Sequence, residues 1–148
     1  MTLDEILGMW EKDSQIDNIN LDETSINSAK LHAKYLSLLS TAKLNLKKKQ
    51  MEFDSSKKDK WLYFEGKMTK TDIEERGWKY DPFDGMTKPL KTNMDHYYKT
   101  DPELTKIESQ IEYQKVIIDT LIDIMDNIKW RHQNIRNIID WKKFTAGA

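Results

Sequence analysis

Asp101 to Trp141 read DPELTKIESQIEYQKVIIDTLIDIMDNIKWRHQNIRNIIDW. Asp101 suits a helix N-cap and Pro102 the first helical position, where a missing N–H costs nothing. Beyond them no glycine or proline interrupts the run. Leu104, Ile107, Ile111, Gln114, Ile118, Leu121, Met125, Ile128, His132, Ile135 and Ile139 step by three and four. That is a heptad seam, interrupted by Gln114 and His132. Ile117, Ile122, Ile124 and Ile138 widen the apolar surface beyond a two-helix seam. A helix of about 38 residues would span roughly 57 Å. A compact monomer of this size has a radius of gyration of about 15 Å. The helix should therefore pack on another long helix, on copies of itself, or on both. The reading is an all-α chain whose C-terminal heptad helix, residues 103–142, drives a homo-oligomer. A monomeric antiparallel hairpin is the alternative.

Upstream, residues 1–65 read as the N-terminal helices. Leu3, Ile6, Leu7 and Trp10 share one face of a short helix over 3–12. After a polar turn at 17–22, a second helix runs from about Glu23 to Glu65, capped by Asp22 or Thr24. Its apolar stripe is Ile26, Ala29, Ala33, Leu36, Leu39, Leu46 and Phe53, and Gly66 is its natural stop. Residues 66–102 hold all three prolines and three of the five glycines. They read as an irregular connection with a short helix near Thr71–Arg76. The 148 residues are enough for one domain.

Composition excludes several functions. Cysteine is absent, so disulfides and thiol chemistry are excluded. His32, His96 and His132 lie far apart without metal-ligand spacing, and His132 reads as a packed or interhelical polar residue. Gly66-Lys67 has no glycine five positions earlier, so there is no phosphate-binding loop. Glu74-Glu75 sits in a polar loop, a poor place for paired-carboxylate catalysis. The expectation is a non-enzyme without cofactor or metal. No stretch has membrane length and the N-terminus does not read as a signal peptide, so a soluble intracellular protein is expected.

Net charge is −1, but it is segregated. Residues 1–25 carry one base against seven acids, and residues 43–70 carry nine lysines against four acids. Residues 101–126 are acidic, with two lysines against seven acids. Lys129, Arg131, Arg136, Lys142 and Lys143 form a second basic cluster. The sharpest feature is residues 55–70, SSKKDKWLYFEGKMTK. Lys57, Lys58, Lys60, Lys67 and Lys70 surround Trp61, Tyr63 and Phe64. Lysines attract phosphate and aromatic faces stack on unpaired bases, the combination that single-stranded nucleic acid binding needs. On a helix, Lys57, Lys60, Trp61 and Phe64 would share a face. The bland reading is lysine stems lying over Trp61.

In these residues the chain resembles the UvsY-type recombination mediators of tailed phages. The likeness is sharpest in KKDKWLYFEGK at 57–67. It recurs at Leu90–Thr92, at Ile128-Lys129 in the long C-terminal helix, and in the ending FTAGA. The family's DNA-binding basic residues match Lys58 and Lys60, and its aromatic pair matches Tyr63 and Phe64. The chain departs from the pattern with Leu62 for an acidic residue, Trp61 for an aliphatic one, and lysine for arginine at position 60. The resemblance implies a mediator that binds single-stranded DNA and helps a phage recombinase displace the single-stranded DNA-binding protein. It implies a ring, a hexamer or heptamer, working in the cytoplasm of the infected bacterial host. The competing reading is a structural coiled-coil assembly or scaffold protein, which leaves residues 61–64 without a purpose. An RNA-binding adaptor is a third, since stacking and phosphate contacts do not read the sugar.

Overall fold

The computed structural model describes residues 1–147. It is all-α, with no strand among the described residues. Among the described residues five α-helices follow in order: α1 (Leu3–Asp13), α2 (Leu21–Phe64), α3 (Lys70–Glu75), α4 (Met94–Thr100) and α5 (Pro102–Thr145). A 3-10 turn, Lys91–Asn93, leads into α4. The chain divides into two compact units. One comprises residues 1–45 with 114–147, and the other Leu46–Tyr113.

In the first unit α1 opens on a capping box. The Glu5 N–H donates to the Thr2 hydroxyl at 3.2 Å, and the Thr2 N–H donates to the Glu5 carboxylate at 2.9 Å. Ile6 is buried, and Trp10 meets Tyr35 of α2 edge-on, centroids 5.4 Å apart at 86°. The stripe of α2 matches the expectation at the buried Leu39 and the half-buried Leu46 and Phe53, but is phased differently before them. Ile26 and Leu36 are exposed, as are Ala29 and Ala33, while Thr24, Tyr35, Leu39 and Ala42 are buried. Over residues 26–36 counting apolar residues favoured the wrong face because the buried position 35 carries a hydroxyl. That hydroxyl is satisfied: it donates to Asp13 at 2.9 Å, and Lys34 donates to the same oxygen at 2.6 Å.

The heptad positions on α5 find cover inside the chain. Leu104, Ile107, Ile111, Ile118, Leu121, Ile128 and Ile135 are buried in a single copy, as are Ile117 and Ile124. Met125 is half-buried, and His132 and Ile139 are exposed. The seam, expected to pack on another long helix, on copies of itself or on both, is thus largely buried within one chain. Gln114, the polar interruption, is also accounted for: its amide donates to the Ala42 carbonyl at 3.2 Å. His132 is not a packed seam residue; its Nδ1 lies 2.8 Å from the Lys129 carbonyl on the same helix. The apolar side chains left outside on α5 include Val116, Ile122, Trp130, Ile139, Trp141 and Phe144.

The second unit contains the connection read as irregular. It is ordered around an aromatic core of Tyr63, Phe64, Ile73, Phe83 and Met94, with Met68, Trp78, Tyr97 and Tyr98 packed against it. The expected short helix is α3. The 3-10 turn and α4 were not anticipated, since neither has strong apolar periodicity.

Candidate nucleic-acid interface

The basic-aromatic segment is the end of α2. Gly66 stops the helix as expected, at φ +70°. The Gly66 N–H donates to the Tyr63 carbonyl at 3.2 Å and the Lys67 N–H to the Leu62 carbonyl at 2.9 Å. This Schellman pair turns the chain back at a position that favours glycine. The returning segment covers one side of the helix and leaves the other bare.

Helix periodicity divides the candidate residues between those sides. Asp54, Lys57, Lys58 and Trp61, spaced by three, one and three, form the outward stripe; Trp61 is 40% exposed. Lys60, Tyr63 and Phe64, spaced by three and one, face inward and are 5–6% exposed. Lys67 and Lys70, beyond the helix end, are exposed. The expected face joining Lys57, Lys60, Trp61 and Phe64 does not exist as one surface. Tyr63 and Phe64 are core aromatics here. Phe64 stacks on Phe83 with centroids 6.0 Å apart and meets Tyr97 and Tyr98 edge-on; Tyr63 tilts against Trp78 at 5.0 Å. The Tyr63 hydroxyl donates to the Lys79 carbonyl. Burial, reinforced by the charges of Asp81, Asp101 and Asp84, pushes the Tyr63 phenol above its ordinary pKa.

Lys60 has an internal anionic partner. Its ammonium lies 3.0 Å from Asp101 and 3.8 Å from Glu103, and 3.8 Å from the Trp78 ring centroid. Asp101 does two things at once. One carboxylate oxygen holds Lys60 while the other accepts the Leu104 N–H at 3.0 Å, capping α5 as the sequence indicated. The Trp78 indole donates to Glu103 at 2.6 Å, and Arg76 reaches Asp59 at 2.9 Å. Lys60 thus ties the end of α2 to the start of α5. A phosphate would have to displace a carboxylate to reach it.

Among the described residues the lysines of the bare stripe form no ion pair, although, beside the hydrogen bond from Lys88, the charge of Lys67 helps to lower the Glu65 pKa. Lys67 lies 4.6 Å from the Trp61 ring centroid and Lys57 5.3 Å from that of Tyr98. Lys70 lies 5.8 Å from Tyr80. Tyr98 lies in the segment read from the sequence as an irregular connection; the Tyr97-Tyr98 doublet ahead of the Asp101 cap is the sequence signal that marks it. Burial, then the charges of Glu65 and Asp95, raise its pKa and keep it a neutral ring.

The second basic cluster is partly committed elsewhere. Arg131 is buried and donates to the Ser14 and Gln15 carbonyls at 3.0 and 2.7 Å, capping the end of α1. Lys142 donates to the Asn18 carbonyl. Among the described residues no group of three or more His, Asp or Glu is placed to hold a metal ion, and no helix is long and apolar enough to cross a membrane.

Comparison with known proteins agrees with this architecture. The family described as "Recombination, repair and ssDNA binding protein UvsY" matches residues 9–148. The chain is 25% identical over 147 residues to "Recombination protein uvsY" of Enterobacteria phage T4, covering 99% of each. Crystal structures of the bacteriophage T4 recombination mediator protein UvsY share the fold. The lattice type II form superposes with a TM-score of 0.82 at 23% identity, over 99% of this chain and 98% of that one. The lattice type IV form gives 0.80 at 21%, over 98% and 99%.

Proposed function

The chain belongs to the UvsY family of recombination proteins, and we propose that it is a non-enzymatic mediator that binds single-stranded DNA and helps load a phage recombinase onto DNA coated with single-stranded DNA-binding protein. It would act in presynaptic filament assembly, in the cytoplasm of the infected bacterial host. The observation that carries this reading is the outward stripe of Lys57, Lys58 and Trp61, extended by Lys67, in a family described as single-strand binding. Unlike the buried Lys60, these lysines are exposed to a phosphate backbone. Each contact is modest, because exposed lysine–phosphate contacts are screened by salt.

Tight binding then calls for several subunits on one strand. Linking sites raises effective concentration, and avidity can exceed single-site affinity by about 10²–10⁴. A ring-like homo-oligomer supplies that linkage. The reading is supported by the stacked, exposed pair Trp141 and Phe144 near the end of α5, with centroids 5.7 Å apart and exposures of 65% and 74%. Exposed aromatics of this size are typical of association surfaces. A ring presenting one stripe per subunit would bend the strand, loosening a coat protein and offering DNA to the recombinase.

The test is a loading assay. Recombinase is added to DNA already coated with its cognate single-strand binder, with and without this protein, and filament formation is followed. Acceleration that disappears in the Lys57→Ala, Lys58→Ala double variant is expected. A protein that binds no single strand at low salt, or that leaves loading unchanged, defeats the proposal.

A further inference from the structure

We propose that Trp61 and Tyr98 form a slot for one nucleobase of the bound strand, with Lys57, Lys58 and Lys67 holding the phosphates beside it; this rests on the single-strand-binding reading above. A shallow, open depression of about 420 Å³ lies against the outward stripe, lined by Asp54, Lys57, Lys58, Trp61 and Tyr98.

The two aromatic walls come from different elements. Trp61 projects from the last turns of α2, and Tyr98 belongs to α4. Tyr98 is not a loose side chain. It is half-buried and meets Phe64 edge-on at 5.6 Å and 78°, so the aromatic core fixes its ring. A pre-set ring loses little freedom when a base lies on it.

The charges select the ligand. Lys57 lies over Tyr98 and Lys67 over Trp61, at 5.3 and 4.6 Å from the ring centroids. Both are exposed lysines with flexible stems. An exposed lysine on an aromatic face is held more weakly than a stacked base, so a base displaces it and frees the ammonium for the adjoining phosphates. Asp54 decides which part of a nucleotide enters. Its carboxylate repels a phosphate inside the depression but tolerates a neutral base, leaving the phosphates to the lysines around it. The occupant that fits aromatic walls, a cationic border and one wall carboxylate is an unpaired base on a polyanionic backbone.

The experiment uses the full chain and two fluorescein-labelled strands of equal length, oligo-dT and a wholly abasic strand, with affinity read by anisotropy at one salt concentration. Wild type should prefer oligo-dT. Trp61→Ala should weaken oligo-dT by at least about fivefold, the low end for one stacked base, and leave the abasic strand unchanged. Trp61→Phe should retain most of the preference. Because Tyr98 also packs on the core, Tyr98→Leu is judged by the ratio of the two affinities, which a general loss of folded protein does not alter. Lys57→Ala with Lys58→Ala should weaken both strands alike. Trp61→Ala and Tyr98→Leu leaving the dT-to-abasic ratio at its wild-type value would overturn the slot while leaving single-strand binding intact. Wild type binding neither strand would overturn single-strand binding itself.

Discussion

Replacing Lys60 by methionine separates a structural lysine from a DNA-contacting one. Lys60 and Asp101 have side chains only 6% and 7% exposed, and their charged atoms are 3.0 Å apart. Methionine fills similar space without charge and leaves Asp101 as a buried carboxylate without its cation. Breaking a buried pair from one side costs about 3–5 kcal/mol. Glu103 is 54% exposed and turns to water, so it adds little. The Leu104 N–H still serves Asp101, which places the expected loss nearer the lower end. At about 2–4 °C per kcal/mol for a chain of this size, the melting temperature should fall by roughly 6–15 °C. Adding Asp101→Asn removes the orphaned charge while keeping a good N-cap, so the double variant should recover much of the loss. Lys58→Ala, at an exposed position, should stay within about 0.5 kcal/mol of wild type yet weaken DNA binding. The assay is a thermal melt by circular dichroism beside a single-strand titration of each folded variant. Lys60→Met melting like wild type while losing as much DNA affinity as Lys58→Ala would refute the structural role and place Lys60 on the strand.

Ile118→Asp with Leu121→Asp should unfold the first unit rather than merely dissociate copies, since both positions are buried within one chain; circular dichroism separates unfolding from a change in sedimenting mass. Trp141→Asp with Phe144→Asp should keep the helix content and lower the sedimenting mass. Acid should loosen the docking of α1. Burial alone would raise the Asp13 pKa, but hydrogen bonds from Lys34 and Tyr35 and the charges of Lys34 and Arg131 hold it below its ordinary 3.8. The stabilisation is therefore full above that value and lost as pH falls through the lower folded one, a step that Asp13→Asn should remove from acid-denaturation curves. Gly66→Ala should cost about 1–2 kcal/mol in a denaturant titration. The added methyl meets nothing within 4 Å, so only the left-handed backbone opposes it.

Local physics made the helices legible from the sequence. Asp101-Pro102 started α5, Gly66 ended α2, and the three-four spacing from Leu104 placed most of the buried positions of the last helix, because backbone capping and side-chain period depend on near neighbours. The basic-aromatic residues were equally visible, and so was the family they resemble. What covers each face depended on distant residues. Lys60 turned inward because Asp101, 41 positions on, supplies its counter-charge. Tyr63 and Phe64 became core because residues 66–102 fold back over the end of α2. Tyr35 outranked Ile26 and Leu36 as a core residue because Asp13 and Trp10 were there to meet it. A sequence states which side chains share a helical face; the tertiary structure decides which face is covered, since the free energy of burying a lysine or a tyrosine is set by the partner that arrives from elsewhere in the chain.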